Sequence, residues 1–562
     1  MITSILVLST LLFLFSAIRR IIAKSQQHDL PLPPGPKGLP ILGNVLDIKQ
    51  RKDRPRWEVY RNWSTQYGSD ISANELLEKR SGNYSDRPPM YMVNDLMKWD
   101  WDFVHMRYSD QWRRVANYFQ IRNASQFHEV QKAASLSLLQ KLAASPDDYY
   151  NHVRGHAGSI ILKLVYGYTL QEDDPYIELA AKAMEGLIAA VNHGSFLVDF
   201  LPILKHVPSW LPGASFKRKA KAWVADSIAI KERPWEWFAM AMGKGTASPS
   251  FASRTLEKNI DNPEMIDVIK NSSAIAYLAG SDTTVSLILS FILAMVLHPE
   301  IQARAQAEID AVVGSTRLPD FDDREKLPYI EAILAESLRW HPVAPLAIPH
   351  RSIKDDVYGN LYIPAGTTIV ANAWAIMHDD AIYPDPSAFN PERFVKQEGK
   401  ELPPHPEQFA FGFGRRVCPG KHVASSSAWL AMVYLLSTFS MARALDGNGK
   451  EIDPEINYND GLVRPLWYSS GNVWDIGPVR GEPRWRRYHS WSSQYDSDAV
   501  YIEVCGDPMI ILNSREAVVK LLAKCSSYYS DRSRMMYMAN DLSGTHWDTS
   551  RMRYPDWWSV VK

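Results

Sequence analysis

The longest apolar stretch inside the chain predicts a helix that runs through the centre of a domain. Residues 266–297 are largely apolar and carry almost no charge in their middle, as is typical of a helix buried on all sides. Three polar residues, Asp282, Thr283 and Thr284, interrupt it. A mid-helix hydroxyl bonds back to the preceding turn, and a buried acid is costly unless it has a function. The triplet is therefore a candidate functional site, with a solvated polar turn as the alternative.

A second region alternates apolar and polar positions. Residues 348–379 do so with Gly and Pro between the runs, which predicts strands and turns. Most of the remaining chain between residues 43 and 470 is helical in pattern, so the predicted class is mainly α with a smaller β part. Within one predicted helix, from about Tyr329 to Trp340, Glu336 and Arg339 lie three apart on one face and can pair. Such a pair, taken alone, is usually a solvated surface pair.

The N-terminal segment has the pattern of a membrane anchor. Residues 2–18 are apolar and are followed by Arg19, Arg20 and Lys24. Seventeen residues suit the thin membrane of the endoplasmic reticulum, and the positive flank keeps the rest of the chain cytosolic. A cleaved signal peptide is the alternative, but a basic n-region and a cleavage site are missing. We expect a single-pass anchor over residues 1–22 and a stiff proline-rich connector over residues 23–42.

Composition excludes some classes of function. The 562 residues are 46% apolar and 22% charged, enough for a substantial core. A formal net charge of −1 gives no basic surface for nucleic acid. The three cysteines, Cys418, Cys505 and Cys525, do not form a disulfide framework. A reducing compartment fits this usage.

Cys418 lies in the most informative stretch, residues 411–420 with the sequence FGFGRRVCPG. Two glycines in it let the backbone pass close to a flat ligand. The thiol comes shortly before a predicted helix, with Arg415 and Arg416 close by in the sequence. Positive potential at that place predicts a bias toward thiolate, the form that binds iron. The alternative is a buried structural cysteine.

This stretch resembles, position by position, the haem-binding loop of the cytochrome P450 family, F-x-x-G-x-R-x-C-x-G. The matching positions are Phe411, Gly414, Arg416, Cys418 and Gly420. Three further strings resemble motifs of that family in the expected order: AGSDTT at residues 279–284, ESLR at 336–339 and FNPERF at 389–394. The resemblance covers roughly residues 30–463 and implies the cytochrome P450 fold, haem b (iron protoporphyrin IX) and Cys418 as the axial iron ligand.

The resemblance also implies roles for residues outside this loop. Thr283 would hold dioxygen and its waters, and Asp282 would supply protons. Glu336, Arg339 and Arg393 would form a buried brace that holds the cysteine loop in place, a structural role rather than a chemical one.

Contacts to the haem propionates follow the family only in part. Arg351 and Arg416 are at positions where the family places arginines on the propionates, although either could be an ordinary surface residue. The family also carries W-x-x-x-R in an early helix. Here Trp112 is present and can donate from its indole nitrogen, but the fourth residue after it is Ala116. Either the register shifts to Arg113 or Arg114, or a few residues have been lost.

By resemblance, the chain is a monooxygenase that inserts one oxygen atom from O2 into a lipophilic molecule, such as an aromatic or terpenoid compound of secondary metabolism. No flavin or nicotinamide motif occurs, so electrons would come from the membrane-bound NADPH-cytochrome P450 reductase. Residues 187–200, 274–279 and 343–348 lie where the family lines its pocket, and all are mainly apolar. A haem-thiolate isomerase or peroxygenase that needs no reductase, and a catalytically inactive protein, are the alternatives.

The chain restarts itself near its C-terminus. Residues 471–562 repeat residues 43–116 in part: GNVWDI matches GNVLDI, and PRWRRYHSWSSQYDSD matches PRWEVYRNWSTQYGSD. The second copy contains a predicted hairpin, Val500 to Leu512, about a Gly-Asp-Pro turn, whereas the first copy has only ISAN after Asp70. The domain at residues 43–470 therefore lacks an early hairpin. Either the chain joins one nearly complete domain, from which an exon is omitted, to the start of a tandem neighbour, as a faulty gene model would, or the tail hairpin fills the exposed edge by strand addition.

Overall fold

A computed structural model describes most of the chain between residues 55 and 444 and short pieces outside it. The described residues are 30–34, 36, 55–67, 73–109, 112–113, 124–191, 195–259, 261–314, 316–444, 450–454, 457–458, 466–467, 499–504 and 507–512. The predicted anchor at residues 1–22, most of the connector, and most of the repeat at residues 471–562 lie outside them. Residues 114–123, which would settle the register after Trp112, also lie outside.

Helices dominate the described part, as predicted. The α-helices are α1 (Arg56–Tyr67), α2 (Ser81–Tyr84), α3 (His128–Ala144), α4 (Tyr149–Tyr166), α5 (Pro175–Val191), α6 (Ser215–Gly243), α7 (Phe251–Glu257), α8 (Pro263–Leu297), α9 (Pro299–Val312), α10 (Pro328–Trp340), α11 (Ala373–Met377), α12 (Glu407–Ala410) and α13 (Lys421–Thr438). The described part also contains two π-helical turns, Asn74–Lys79 and Met92–Leu96. Its seven 3-10 turns are Ala124–Phe127, Pro146–Asp148, Leu197–Asp199, Pro202–His206, Phe321–Lys326, Pro391–Arg393 and Gly414–Arg416.

The described strands form four two-stranded antiparallel sheets. They pair β1 (His350–Arg351) with β4 (Thr368–Ile369), β2 (Asp356–Tyr358) with β3 (Leu361–Ile363), β5 (Asn457–Tyr458) with β6 (Leu466–Trp467), and β7 (Ala499–Val504) with β8 (Asp507–Leu512). In the first two sheets, His350 is opposite Ile369 and Val357 is opposite Tyr362. The predicted strands and turns of residues 348–379 are thus present, except that α11 is helical. Asn372 begins that helix by accepting the backbone N–H of Ala375 at 2.9 Å.

The predicted tail hairpin is β7–β8. Its register runs from Ala499 opposite Leu512 to Val504 opposite Asp507. Asp507 and Pro508 belong to β8 rather than to the turn that the Gly-Asp-Pro string predicted. The hairpin belongs to the second of two compact units, which comprises residues 203–222 and 477–562; the first unit comprises residues 1–202 and 223–476.

The predicted central helix is α8, and it begins three residues earlier than predicted. Asn262 caps it by accepting the backbone N–H of Met265, and Pro263 occupies its first position. It is apolar and long enough to cross a membrane by composition, but 78% of its most apolar window is buried inside the protein. In the largest core cluster it packs with α4, α9, α10 and α13. It is therefore the core helix on which the candidate site is built.

Two helix glycines differ in whether a side chain would fit at their position. A Cβ on Gly280 of α8 would lie 2.8 Å from Cγ1 and 3.2 Å from Cβ of Ile161 on α4. A Cβ on Gly155 of α4 would meet nothing within 4 Å. Gly280 is thus required for the close contact between α4 and α8, and Gly155 is not.

Replacing each of these glycines by alanine should therefore change stability in opposite directions. Gly155→Ala should raise the free energy of unfolding by about 0.5–1 kcal/mol, because alanine is the better helix former. Gly280→Ala makes the same gain but overpacks the contact, so we expect a net loss of about 1 kcal/mol or more. Urea titration of both variants measures this, and equal shifts would contradict the close contact.

Candidate functional site

Cys418 lies at the N-terminal end of α13. Its backbone N–H donates to the carbonyl of Phe411 at 2.8 Å, which closes the loop, and its own carbonyl accepts from Lys421 at 3.4 Å. Gly420 is the residue that precedes the helix, and a Cβ on it would lie 3.9 Å from the Cys418 sulfur. The sulfur is half-buried and forms no disulfide. The predicted placement of the thiol at a helix N-terminus is confirmed.

A left-handed glycine docks this loop on the rest of the site. Gly414 has φ +56°, and a Cβ on it would lie 2.1 Å from the carbonyl oxygen of Leu77. Its backbone N–H donates to Oε1 of Glu78 at 2.7 Å. The loop therefore lies directly against the π-helical turn Asn74–Lys79, and only glycine fits at this position.

The charge state of the thiol differs from the sequence prediction. Burial raises the pKa of the Cys418 thiol, and the N–H of Gly420 and the charge of Lys421 lower it by less. The two nearby arginines contribute to other contacts: Arg415 donates to the phenol oxygen of Tyr108 at 2.8 Å, and Arg416 donates to backbone carbonyls. The prediction that these arginines bias the sulfur toward thiolate is wrong for the chain by itself. A bound metal ion would supply that bias, because a coordinating thiol is deprotonated by the metal.

Arg416 is buried, and its hydrogen-bond acceptors are uncharged backbone carbonyls. It donates to the carbonyls of Ser85 at 2.8 Å, Phe103 at 3.2 Å and Met106 at 2.8 Å. Its guanidinium lies 4.0 Å from the ring centroid of Trp112. Burial lowers the pKa of Arg416 to about 10. Nε1 of Trp112 is buried and has no hydrogen-bond partner in the part of the chain that the structure describes.

A second buried arginine was missed by sequence reasoning. Arg87 is 3% exposed and donates to the carbonyls of Val104, Ile348 and Pro349 at 2.9–3.0 Å. Burial, and then the charge of Arg416, hold its pKa well below the usual range. Within the described residues, neither arginine forms an ion pair with a carboxylate. The signal available in the sequence was YSDR, which recurs in both copies of the repeat at residues 84–87 and 529–532.

Arg351 lies beside this pair on β1. Its backbone N–H donates to the carbonyl of Asp86 at 2.9 Å, and its Nε donates to the carbonyl of Gly366 at 3.1 Å. The side chain is half-buried. The structure thus brings Arg351 and Arg416 to the same short segment, residues 84–87, which lies far from both in the sequence.

The donor set fits a haem. Buried cations are normally paired with anions, so two buried guanidiniums without a carboxylate favour an anionic ligand such as a propionate. The unpartnered indole N–H of Trp112 adds a donor beside them. Cys418 supplies the sulfur that iron takes in a haem-thiolate centre. No group of three or more His, Cys, Asp or Glu residues able to hold a bare metal ion occurs among the described residues.

Glu336, Arg339 and Arg393 form one buried network. Glu336 and Arg339 are both 0% exposed, and Arg339 donates twice to the carboxylate, at 2.7 Å each. Glu336 also accepts the backbone N–H of Asn390 at 2.8 Å and Nε of Arg393 at 3.4 Å. The surface-pair alternative is therefore wrong, because four donors saturate a carboxylate that water does not reach.

The network holds the chain that leads to the cysteine loop. Arg339 also donates to the carbonyls of Met377, Pro386 and Ala388 at 2.9–3.0 Å. Its guanidinium lies 5.6 Å from the ring centroid of Tyr383, whose hydroxyl donates to Pro404 at 2.7 Å. Pro404 precedes α12, and α12 leads directly into the loop. A change at Glu336 therefore reaches Cys418 through a continuous set of contacts.

Glu336→Gln should lower the free energy of unfolding by about 3–5 kcal/mol, because it leaves Arg339 buried without a counter-charge. Chemical denaturation followed by circular dichroism measures this. The matched control is Glu178→Gln on α5, where the pair with Lys182 is exposed by 69% and 57%. That variant should unfold like the wild type, and equal losses in both would argue against the buried network.

Asp282 and Thr283 lie together on α8, as predicted. Thr283 donates from Oγ1 to the carbonyl of Ala279 at 2.8 Å, the back-bonding that the sequence indicated. Residues 279, 280, 282 and 283 are only half-buried, although the helix on either side of them is buried. Oδ2 of Asp282 is buried and has no partner among the described residues. A solvated polar turn does not fit such a carboxyl group.

The pKa of Asp282 is raised to about 6 by burial, and the charge of Arg154 on α4 opposes this shift. Protonation of the Asp282 carboxyl group thus stabilises the folded state. This contribution is complete below about pH 4, the usual range of aspartate, and is lost as the pH rises through about 6. Among the described residues, no hydrogen bond connects Asp282 or Thr283 with the cysteine loop, although α8 packs against α13.

Asp282→Asn should therefore stabilise the protein at pH 8 by on the order of 2 kcal/mol and leave it unchanged at pH 4. Unfolding by urea at both pH values is the measurement. Asp267→Asn, at an exposed position of the same helix, is the control and should show no such pH dependence. A gain at pH 4 that equals the gain at pH 8 would contradict the raised pKa.

Comparisons with known proteins agree with this geometry. The family described as Cytochrome P450 matches residues 33–465. A cytochrome P450 monooxygenase of Armillaria gallica is 41% identical over 473 residues, which are 79% of this chain and 92% of the relative. Another, cytochrome P450 monooxygenase 208 of Postia placenta, is 40% identical over 77% of this chain and 88% of its own. The tryptamine 4-monooxygenase of Psilocybe cyanescens is 40% identical over 77% of this chain and 90% of its own.

Proposed function

The chain belongs to the cytochrome P450 family and is an oxidoreductase of its monooxygenase class, and on this premise we propose its chemistry. We infer that it binds haem b through Cys418 and inserts one oxygen atom from O2 into a lipophilic small molecule. The single observation that carries this proposal is the loop at residues 411–420, which holds one thiol at the start of α13 beside Arg87 and Arg416, two buried arginines that form no ion pair among the described residues. When bound, a haem with a thiolate ligand supplies O–O bond cleavage and the oxidation itself.

The residues around the sulfur position the cofactor. The Cys418 sulfur would bind the haem iron, and the backbone hydrogen bond to Phe411 and the backbone N–H of Gly420 hold the cysteine in position. Arg416, Arg351 and the indole N–H of Trp112 are proposed contacts to the propionates. Support comes from the burial of Arg416 and from the unpartnered state of the Trp112 donor among the described residues.

Asp282 and Thr283 are proposed to deliver protons. A carboxyl group whose pKa is raised to about 6 exchanges its proton readily near neutral pH, and a general acid works best when its pKa lies near the working pH. Thr283 offers a hydroxyl that is already oriented by the Ala279 carbonyl. Its position next to Asp282, on the half-buried part of α8, supports a shared role for the two side chains.

The substrate is proposed to be lipophilic, such as an aromatic or terpenoid compound. Residues 274–278 are buried apolar or small side chains, and Leu187 on α5 is 4% exposed. An aromatic substrate has a precedent in the relative named tryptamine 4-monooxygenase. A reductase-independent isomerase or peroxygenase is the second candidate, and the acid–hydroxyl pair on α8 argues against it, since such catalysts have less need of a proton relay.

Three further features complete the proposal. Electrons are supplied by NADPH-cytochrome P450 reductase, residues 1–22 anchor the chain in the membrane of the endoplasmic reticulum, and the catalytic domain is cytosolic. Residues 471–562 are a partial repeat that could donate their hairpin to the domain at residues 43–470. If the repeat instead marks a truncated fusion, the chain is a catalytically impaired member of the family.

A carbon monoxide difference spectrum of the reduced protein tests the proposal. We expect the Soret band at the red-shifted position of a thiolate-ligated haem, because sulfur donation persists when carbon monoxide binds. Cys418→Ser should abolish that band, and Cys525→Ser should leave it unchanged. Purified wild-type protein without haem absorption would instead support the catalytically impaired alternative.

A further inference from the structure

Asp102 and His105 form a buried acid–imidazole pair in the segment of the sequence between the turn Met92–Leu96 and Trp112. Asp102 is 1% exposed and His105 is 3% exposed, and Nδ1 of His105 is 2.6 Å from Oδ2 of Asp102. The other carboxylate oxygen accepts the backbone N–H of Val104 at 2.7 Å. Nε2 of His105 is buried and has no partner among the described residues. A buried ring nitrogen left without a partner is unfavourable, so this one needs an explanation.

The two buried arginines of the site fix the backbone on both sides of His105. Arg416 donates to the carbonyls of Phe103 and Met106, and Arg87 donates to the carbonyl of Val104. Three of the four carbonyls in the segment 103–106 are therefore engaged by guanidiniums. Arg416 lies two residues before Cys418, so this segment borders the proposed cofactor site.

The two carboxylates near this segment, Asp86 and Asp102, are hydrogen-bonded to groups other than the guanidiniums of Arg87 and Arg416. Asp86 is already engaged by the side chain of Arg107 and the backbone N–H of Tyr108, at 2.7–2.8 Å. Asp102 is engaged by His105 and Val104. The guanidiniums of Arg87 and Arg416 thus contact backbone carbonyls but no described carboxylate, and the charges of Asp86 and Asp102 act on them only without contact. A negatively charged acceptor in contact with them would complete their surroundings.

We propose that His105 donates from Nε2 to a carboxylate of the haem propionates, and that Asp102 holds its ring in the orientation this requires. The inference rests on the proposed function, since it assumes that haem is bound. It assigns a positioning residue to a chain whose sequence has Ala116 where the family has the second basic residue of W-x-x-x-R. His105 supplies a propionate contact from the segment that precedes Trp112.

The hydrogen-bond chain of the proposal follows from the arrangement. Asp102 accepts a hydrogen bond from Nδ1–H of His105, so Nε2 donates to a propionate only when both ring nitrogens carry hydrogen. With haem bound, Asp102, His105 and the propionate would form a line of two charge-assisted hydrogen bonds.

Haem release measures this contact directly. Transfer of haem from the reconstituted holoprotein to excess apomyoglobin gives its dissociation rate without any assay of activity. We expect His105→Phe to release haem about 10-fold faster or more, as for a lost hydrogen bond to a charged group. His105→Gln, which keeps a donor, should fall between that variant and the wild type. His156→Phe on α4, where the histidine is also 3% exposed, is the control and should match the wild type.

A second arm tests the carboxylate itself. Reconstitution with haem dimethyl ester removes both propionate charges, and wild type and His105→Phe should then release the cofactor at equal rates. Asp102→Asn should speed the release of haem but not of the diester, which covers the case in which His105→Phe fails to fold. Equal release of haem from all variants, or an unchanged effect with the diester, would overturn the proposal.

Two other outcomes are distinguishable. If His105→Phe changes only the spectral shift that a lipophilic ligand induces and leaves haem release unchanged, His105 faces the substrate and the proposal is wrong. If wild-type protein takes up no haem at all, the proposed function fails together with this inference. If the wild type takes up haem and His105→Phe releases it at the same rate, the inference fails and the proposed function stands.

Discussion

The carboxylate of Glu336 accepts four hydrogen bonds in a place that water does not reach, and we expect the position of Cys418 to depend on it. Two of the donors come from Arg339, whose remaining nitrogen and hydrogens engage three carbonyls between Met377 and Ala388. This arrangement fixes an irregular segment that has few backbone hydrogen bonds of its own. Through Tyr383 and Pro404 the constraint passes to α12 and then to the sulfur. A buried ion pair seldom adds net stability over an apolar pair, so its value here is the unique path that it imposes on the chain.

Several buried polar groups near the candidate site lack a partner among the described residues. On one side of residues 279–283, α8 belongs to the largest apolar cluster, with Phe291 and Ile292 at 0% exposure. Trp112, His105 and Asp282 carry such groups and are not members of that cluster, although Trp429, which is a member, also has an indole N–H without a described partner. Each unpartnered group destabilises the folded chain by itself, and binding of a ligand that supplies a partner stabilises it. Folding and cofactor binding are therefore expected to be coupled in this protein.

The sequence predicted what depends on periodicity and on short motifs. The central helix follows from its apolar run, the pair of Glu336 and Arg339 follows from a spacing of three, and the helix-end position of Cys418 follows from the adjacent glycines and the helix after them. It did not predict the orientation of Arg415 and Arg416, because the acceptors of Arg416 are backbone carbonyls about 310–330 residues away in the chain. Any residue type offers a carbonyl, so such a contact leaves no trace in composition or spacing. Arg87 was missed for the same reason, although the repeated YSDR string marked its position.

The sequence predicts that the domain lacks an early hairpin after Asp70, which raises the question of what holds the segment at residues 83–87, which carries Arg87 and receives Arg416. The described contacts answer it without further strands. Asp86 forms a β-bridge with Arg351, and Asn83 exchanges backbone and side-chain hydrogen bonds with residues 353 and 354 at 2.8–3.2 Å.

Tyr84 adds two anchors to the same small sheets. Its hydroxyl donates to Asp356 at 2.8 Å, and its carbonyl lies 2.6 Å from Nδ1 of His350. The pKa of His350 is lowered to about 3, mainly by burial and then by the charge of Arg87, so the imidazole is neutral and can donate to that carbonyl. The segment that borders the proposed propionate site is thus fixed by contacts to β1, to β2 and to residues 353 and 354 between them.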